Sequence, residues 1–202
     1  MDNDLYLRIN DFAKNTEWAH PFARAFAKYG IVLFAILFLW AWWVGRKDGD
    51  PRVVAAAFWA PAACIIAIAL AQPIVHAVDR DRPYARNRDA IVLTDRTTDP
   101  SFPSDHSTIS GAAAAGLWFT RRRRIRVTAI VLAAAMAAAR VYVGAHYPGD
   151  ALGGLAFGAA VGLLGGWLLI GPLTRLVERL STTPLRPLLT ATAAVPVADT
   201  TT

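Results

Sequence analysis

Residues 127–170 read V-T-A-I-V-L-A-A-A-M-A-A-A-R-V-Y-V-G-A-H-Y-P-G-D-A-L-G-G-L-A-F-G-A-A-V-G-L-L-G-G-W-L-L-I. Two apolar blocks, 127–143 and 151–170, flank a short polar turn, and each block has the length of a membrane-crossing helix. Arg140 stands near the end of the first block, and His146 and Asp150 lie in the turn, all at the edge of the apolar phase. Ionisable groups at membrane depth are costly, so their presence is a functional signal by default.

Working outward, the same alternation holds for the rest of the chain. Of 202 residues, 55% are hydrophobic and 18% charged. Apolar residues fall in long blocks with short charged punctuation, which points to a membrane protein and not to a soluble domain of equal length. Three more blocks cover 53–78, 104–120 and a segment centred on 31–44. The last reaches span length only by extending back past Lys28 and Arg24, whose stems can snorkel. The expected fold is all-α: a polytopic membrane helical bundle of about five transmembrane helices plus an N-terminal amphipathic helix. Residues 1–20 form that helix, with Leu5, Ile9, Phe12, Ala13 and Thr16 on one face. Residues 21–180 form the transmembrane domain, and 181–202, rich in Thr, Ala and Pro, a weakly ordered tail. The start, Met-Asp-Asn-Asp, lacks the basic segment of a cleavable leader, so the first block is expected to stay in the membrane. The single cysteine, Cys64, excludes an internal disulfide.

Orientation follows from the basic residues. With five spans, one side holds eleven Lys and Arg and the other nine. The dense R-R-R-R-I-R at 121–126 decides for a cytoplasmic first side, as a topology anchor and not a nucleic-acid patch. The ends of the spans near Arg82, Ser104, Arg140 and Asp150 then all fall on the outer side. Four sequence-distant pieces are thus expected to make one site at the extracytoplasmic surface.

The residue types suggest phosphoryl transfer. His146 precedes Tyr147 and Pro148, and Pro favours the first turn of a helix. Asp150 lies four residues on, where its carboxylate can hold one ring nitrogen and leave the other to attack phosphorus. Arg82 and Arg140 offer planar forks for phosphoryl oxygens. Ser104 can cap the third span and offer a hydroxyl beside the helix's first N–H groups. Asp105 follows it, a charge favoured by the helix dipole, and is grouped with Arg82, Ser104 and Arg140 as a phosphate-binding residue. His106 remains as the general acid for the departing oxygen. His20 and His76 read as structural residues. Glycines 154, 158, 162 and 166, spaced by four, form a stripe for close helix packing. Asp79, Asp81, Asp95 and Asp99 alternate with arginines and read as charge pairs, so no metal site is expected.

R-P at 82–83, P-S-D-H at 103–106 and R-x5-H-x3-D at 140–150 resemble the three motifs of the type 2 phosphatidic acid phosphatase superfamily. The resemblance implies a helical bundle, no metal or other cofactor, and a lipid phosphate substrate. It also implies His146 as nucleophile with Asp150 as its partner, and Arg82, Ser104, His106 and Arg140 as phosphate-binding or acid residues. Two positions depart from the pattern. The first motif's Lys is Val75 here, with Arg80 or His76 as possible substitutes, and the second motif's Gly is Asp105. Within the superfamily the chain is most similar to bacterial undecaprenyl-diphosphatases of the bacitracin-resistance type. That implies conversion of undecaprenyl diphosphate to its monophosphate through a phosphohistidine. Phosphatidic acid, phosphatidylglycerol phosphate or another polyprenyl phosphate is the alternative substrate. A vanadate-dependent haloperoxidase and a non-catalytic lipid-binding or transport protein are the competing classes.

Overall fold

A computed structural model describes residues 1–191. The order is α1 (Asp2–Lys14), α2 (His20–Tyr29), α3 (Ile31–Asp48), α4 (Pro51–Val78), the short α5 (Pro83–Arg86), α6 (Asp105–Leu117), α7 (Arg123–Tyr142), α8 (Pro148–Leu180) and the short α9 (Arg186–Leu189). There is no strand among the described residues. All five apolar blocks of the sequence fold as helices, and the fold is the expected membrane bundle. Among the described residues, however, three helices, or four if the bent α2–α3 pair counts as one span, are long and apolar enough to cross where about five were expected.

Local chemistry sets the ends. Asp50 caps α4 by accepting hydrogen bonds from the Arg52 and Val53 amides at 3.1 and 3.2 Å, with Pro51 at the first position. Three stretches are long and apolar enough to cross a bilayer: α4 running on through α5, then α7, then α8. The first block differs from the continuous helix that its composition suggests. It breaks at Gly30 into α2 and α3, bent by 57°. A Cβ at Gly30 would lie 2.8 Å from the Met136 side chain, so glycine lets the elbow press onto α7.

The third block is also shorter than a span. α6 has 13 residues, about 20 Å at 1.5 Å per residue. A 3₁₀ turn follows at Trp118–Thr120, and Arg121, in the left-handed region at φ 55°, ends it. α6 sits at the centre of the bundle, packed by α4, α7 and α8, with nine of its residues buried. Its closest neighbour is α8, along the glycine stripe. A Cβ on Gly158 would run into the Thr108 carbonyl, and one on Gly162 would lie 2.8 Å from the Ala112 carbonyl. Close backbone contact of this kind is what small residues supply between membrane helices.

Segment 181–191, expected to be weakly ordered, folds back on α3. Trp42 Nε1 donates to the Leu188 carbonyl at 2.8 Å, the Ala191 amide donates to that of Arg46 at 2.8 Å, and Leu189 is buried. The rest of the expected tail, 192–202, lies outside the described residues. α1 lies across one end of the bundle. It buries Tyr6, Asn10 and Ala13, whereas Leu5 and Phe12 of its expected apolar face are exposed. Asn10 makes two hydrogen bonds to the main chain of Ile91, and the Tyr6 hydroxyl donates to the Gly144 carbonyl.

Candidate active site

The end of α4, the start of α6, the end of α7 and the start of α8 meet beneath α1 and the 79–104 loop. They enclose a cavity of about 400 Å³ lined by Arg82, Asp105, His106, Arg140 and His146, with Lys28, Gln72 and Val75 on its wall. Five of the seven residues singled out from sequence therefore share one chamber. The other two, Ser104 and Asp150, are fully buried behind it.

His146 sits in the turn joining α7 and α8. Its Nδ1 lies 2.9 Å from the Ser101 carbonyl, which can only accept, so Nδ1 carries the proton. Nε2 is then the nitrogen with the free lone pair, 3.4 Å from Arg82 Nη1. Burial, and then the positive charges of Arg140 and Arg82, hold the imidazole well below its ordinary pKa of 6.5. It is therefore neutral at neutral pH, with the Nε2 lone pair unprotonated.

The expected direct pairing of His146 with Asp150 is corrected by the structure. Pro148 begins α8, so Asp150 is the helix's third residue and its Oδ2 folds back to accept the Tyr147 amide at 2.9 Å. Ser101 stands between the two. Its hydroxyl donates to Asp150 Oδ2 at 2.5 Å and lies 3.4 Å from His146 Nδ1. Asp150 Oδ1 accepts from Arg80 Nη1 at 2.7 Å, and Arg80 Nη2 reaches Asp2 of α1 at 2.6 Å. Asp2 also accepts the Gly149 amide at 2.9 Å, and Arg80 lies 4.1 Å over the Tyr147 ring. A chain of contacts thus runs from imidazole to hydroxyl to carboxylate to guanidinium to a second carboxylate. Sequence reading did not find Ser101 or Asp2, because only the tertiary fold brings them beside Asp150.

Arg82 is clamped on both edges. It donates to the Asp99 carbonyl at 3.0 Å, to the Asp99 carboxylate at 2.6 Å and to the Ala145 carbonyl at 3.2 Å. Burial disfavours the ionised form of Asp99, but hydrogen bonds with Thr97 and Arg82 win and hold its carboxyl below the usual range. Arg140 is 8% exposed and donates Nη1 to the Ala27 carbonyl at 3.3 Å, while its Nε has no partner. A buried guanidinium donor without a partner is costly, and the cavity that Arg140 lines is where the charge of this side chain can be met by an anion.

His106 projects from the first turn of α6 and is half-buried. Its ring makes no hydrogen bond among the described residues and is free to meet a substrate atom. Asp105 lines the same cavity, exposed. Ser104 holds the N-cap position of α6, but its hydroxyl accepts from Ser107 at 3.2 Å and is not part of the cavity lining. Its amide donates to the Asp150 carbonyl at 3.1 Å, tying the starts of α6 and α8 together. Val75 lines the cavity, while His76 is exposed and Arg80 is engaged with Asp150 and Asp2, so neither brings a cation to that wall. His20 bonds the Ala13 carbonyl at 2.8 Å, a structural contact as expected. Among the described residues no group of three or more His, Cys, Asp or Glu is placed to hold a metal ion.

Comparison with known proteins gives a consistent result. The PAP2 superfamily matches residues 56–170. Undecaprenyl-diphosphatase BcrC of Bacillus subtilis is 26% identical over 164 residues, covering 81% of this chain and 82% of the relative. The putative undecaprenyl-diphosphatase YbjG of Escherichia coli is 29% identical over 158 residues, 78% of this chain and 77% of the relative. A lipid A 1-phosphatase of Rhizobium johnstonii is 53% identical over 66 residues, 32% of this chain and 26% of the relative. No solved structure matches.

Proposed function

Because this chain belongs to the PAP2 superfamily, we propose that it converts undecaprenyl diphosphate to undecaprenyl phosphate and phosphate at the outer face of the cell membrane. It is a multi-pass membrane phosphatase, and the two relatives that cover most of it are named for that substrate. The observation that carries the reading is that Arg82, Arg140 and His146 line one cavity, which puts two guanidinium groups beside an imidazole. That chamber is built for a phosphoryl group and for a nitrogen that attacks it.

In the first step His146 Nε2 attacks the terminal phosphorus. An N–P bond forms and the bridging P–O bond breaks; the bound anionic diphosphate favours the protonated form of His106, which passes that proton to the departing lipid phosphate. Arg82 and Arg140 hold the non-bridging oxygens as charge moves through the transition state. Ser101 and its main-chain carbonyl hold the Nδ1–H tautomer, and Asp150 supports the imidazole through Ser101. Water then attacks the phosphohistidine and releases phosphate. No metal takes part. The run at 121–126 lies at the opposite end of the bundle, which supports an extracytoplasmic site by charge asymmetry.

The 66-residue match to a lipid A 1-phosphatase favours a second reading, in which a different lipid phosphate is the substrate. Phosphate release by the purified protein in detergent, from polyprenyl diphosphate, polyprenyl monophosphate, phosphatidic acid and lipid A 1-phosphate, separates the readings. Preference for the diphosphate is expected, and H146A should fall to background on every substrate while remaining folded. Substantial activity in H146A would remove the covalent mechanism.

A further inference from the structure

Three basic residues near the chamber carry carboxylate partners. Arg80 pairs with Asp2 and Asp150, Arg82 with Asp99, and Arg86 with Asp81. Arg24 and Lys28 of α2 differ. They are exposed, one helical turn apart on the same face, and neither makes an ion pair among the described residues. Lys28 Nζ lies only against the ring of neighbouring Tyr29, 5.6 Å from its centroid.

Their placement relates to the phosphate cradle. Lys28 lines the catalytic cavity itself. Together with Arg24 it also lines two adjoining clefts, one along α2 with His20 and Tyr29, the other against Val92–Asp95. Asp95 is the only carboxylate lining either cleft, and it pairs with neither cation. The Ala27 carbonyl, next in the chain to Lys28, receives Arg140 Nη1 at 3.3 Å and pins this turn of α2 to the cradle. The facing α4 wall offers only Gln72 and Val75. On that side of the chamber the neutralising charge therefore comes from α2.

We propose that Lys28, assisted by Arg24, forms a second phosphate subsite that binds the phosphate remaining on the lipid, and so selects lipid diphosphates over lipid monophosphates. The inference rests on the lipid-diphosphate reading above. With the terminal phosphorus before His146 Nε2, the inner phosphate is one bridging oxygen away, and it must leave as an anion. A cation at that position stabilises both the bound diphosphate and the departing monophosphate.

The test compares kcat/KM for farnesyl diphosphate and farnesyl monophosphate, in the same detergent, for the wild-type protein and the R24A/K28A, K28Q and K28R variants. The diphosphate-to-monophosphate ratio should fall about 10- to 100-fold in R24A/K28A, the scale of lost charge-assisted hydrogen bonds. K28Q should show part of that fall and K28R should retain most of the ratio. K28Q keeps the chain length if the double variant folds poorly. An unchanged ratio in both R24A/K28A and K28Q, in a wild-type background that cleaves the diphosphate, would overturn the subsite alone. A wild-type protein that cleaves only the monophosphate would overturn the diphosphate reading itself, and the subsite with it.

Discussion

Both ends of the bundle are rich in arginine, and they use it in opposite ways. At one end, Arg82 and Arg140 are mostly buried and gripped by carbonyls, and Arg140 still has an unspent donor. At the other, Arg124 is exposed, Arg122 pairs with Asp48 and Asp50 at 2.9 and 3.3 Å, and Arg126 lies 4.4 Å over the Trp118 ring. Charge count does not tell these ends apart. Desolvation does: a cation withdrawn from water and left one donor short creates a binding site, whereas a solvated one anchors a helix end.

The largest expected effect tests that contrast directly. R140K should keep the charge but lose the fork, and R140A should lose both. kcat/KM should fall about 10²–10³-fold in R140A, the scale of one lost transition-state donor. R124A, at the far end, should stay within about twofold, as surface charges generally do. Comparable losses at both ends would mean that the arginines act through the fold and not through phosphate.

A smaller effect is expected behind His146. S101A keeps the carbonyl that fixes the tautomer but cuts the hydroxyl link to Asp150. kcat should drop about 10- to 100-fold with little change in KM. The losses from S101A and D150N should be far from additive, because both break the same link. Additive losses would return Asp150 to a separate role.

The smallest effect is in the pH profile. With His146 held below 6.5, its neutral form persists into acid, so the acid limb of kcat/KM should lie below pH 6.5. The same shift enters stability with a definite sign. The unfolded chain protonates this histidine near 6.5 and the folded one does not, so the contribution is fully present above 6.5. It is lost as pH falls from there toward the depressed folded value. An acid limb whose midpoint lies above pH 7 would assign that limb to another group.

Much of this was legible in the sequence. The R-x5-H-x3-D spacing brought Arg140 and His146 to one chamber because an apolar helix ends just before the turn and Pro148 starts the next. Arg82 and His106 were legible because they bracket apolar blocks whose ends had to meet. Ser101 was not, since nothing in S-F-P-S separates a serine facing a carboxylate from one facing water. The elbow at Gly30 was also hidden, because apolar length carries no signal of direction once Lys28 and Arg24 are read as snorkelling stems. The length of α6 was overestimated for the same reason: Ser104 to Thr120 is apolar enough, but the polar residues that open it and the left-handed Arg121 that closes it leave 13 helical residues.

The glycine stripe of α8 has a consequence for catalysis that its distance from the chemistry conceals. His106 rides on α6, and His146 and Asp150 sit at the head of α8, so the two histidines keep their separation only while the two helices keep their register. Backbone-to-backbone contacts at Gly154, Gly158 and Gly162 set that register like the teeth of a ratchet, since sliding α6 by one residue would move His106 by about 1.5 Å. The membrane interior of this protein is thus a length standard for its surface chemistry. A methyl group added deep in the bilayer would detune the site above without touching a single residue in it.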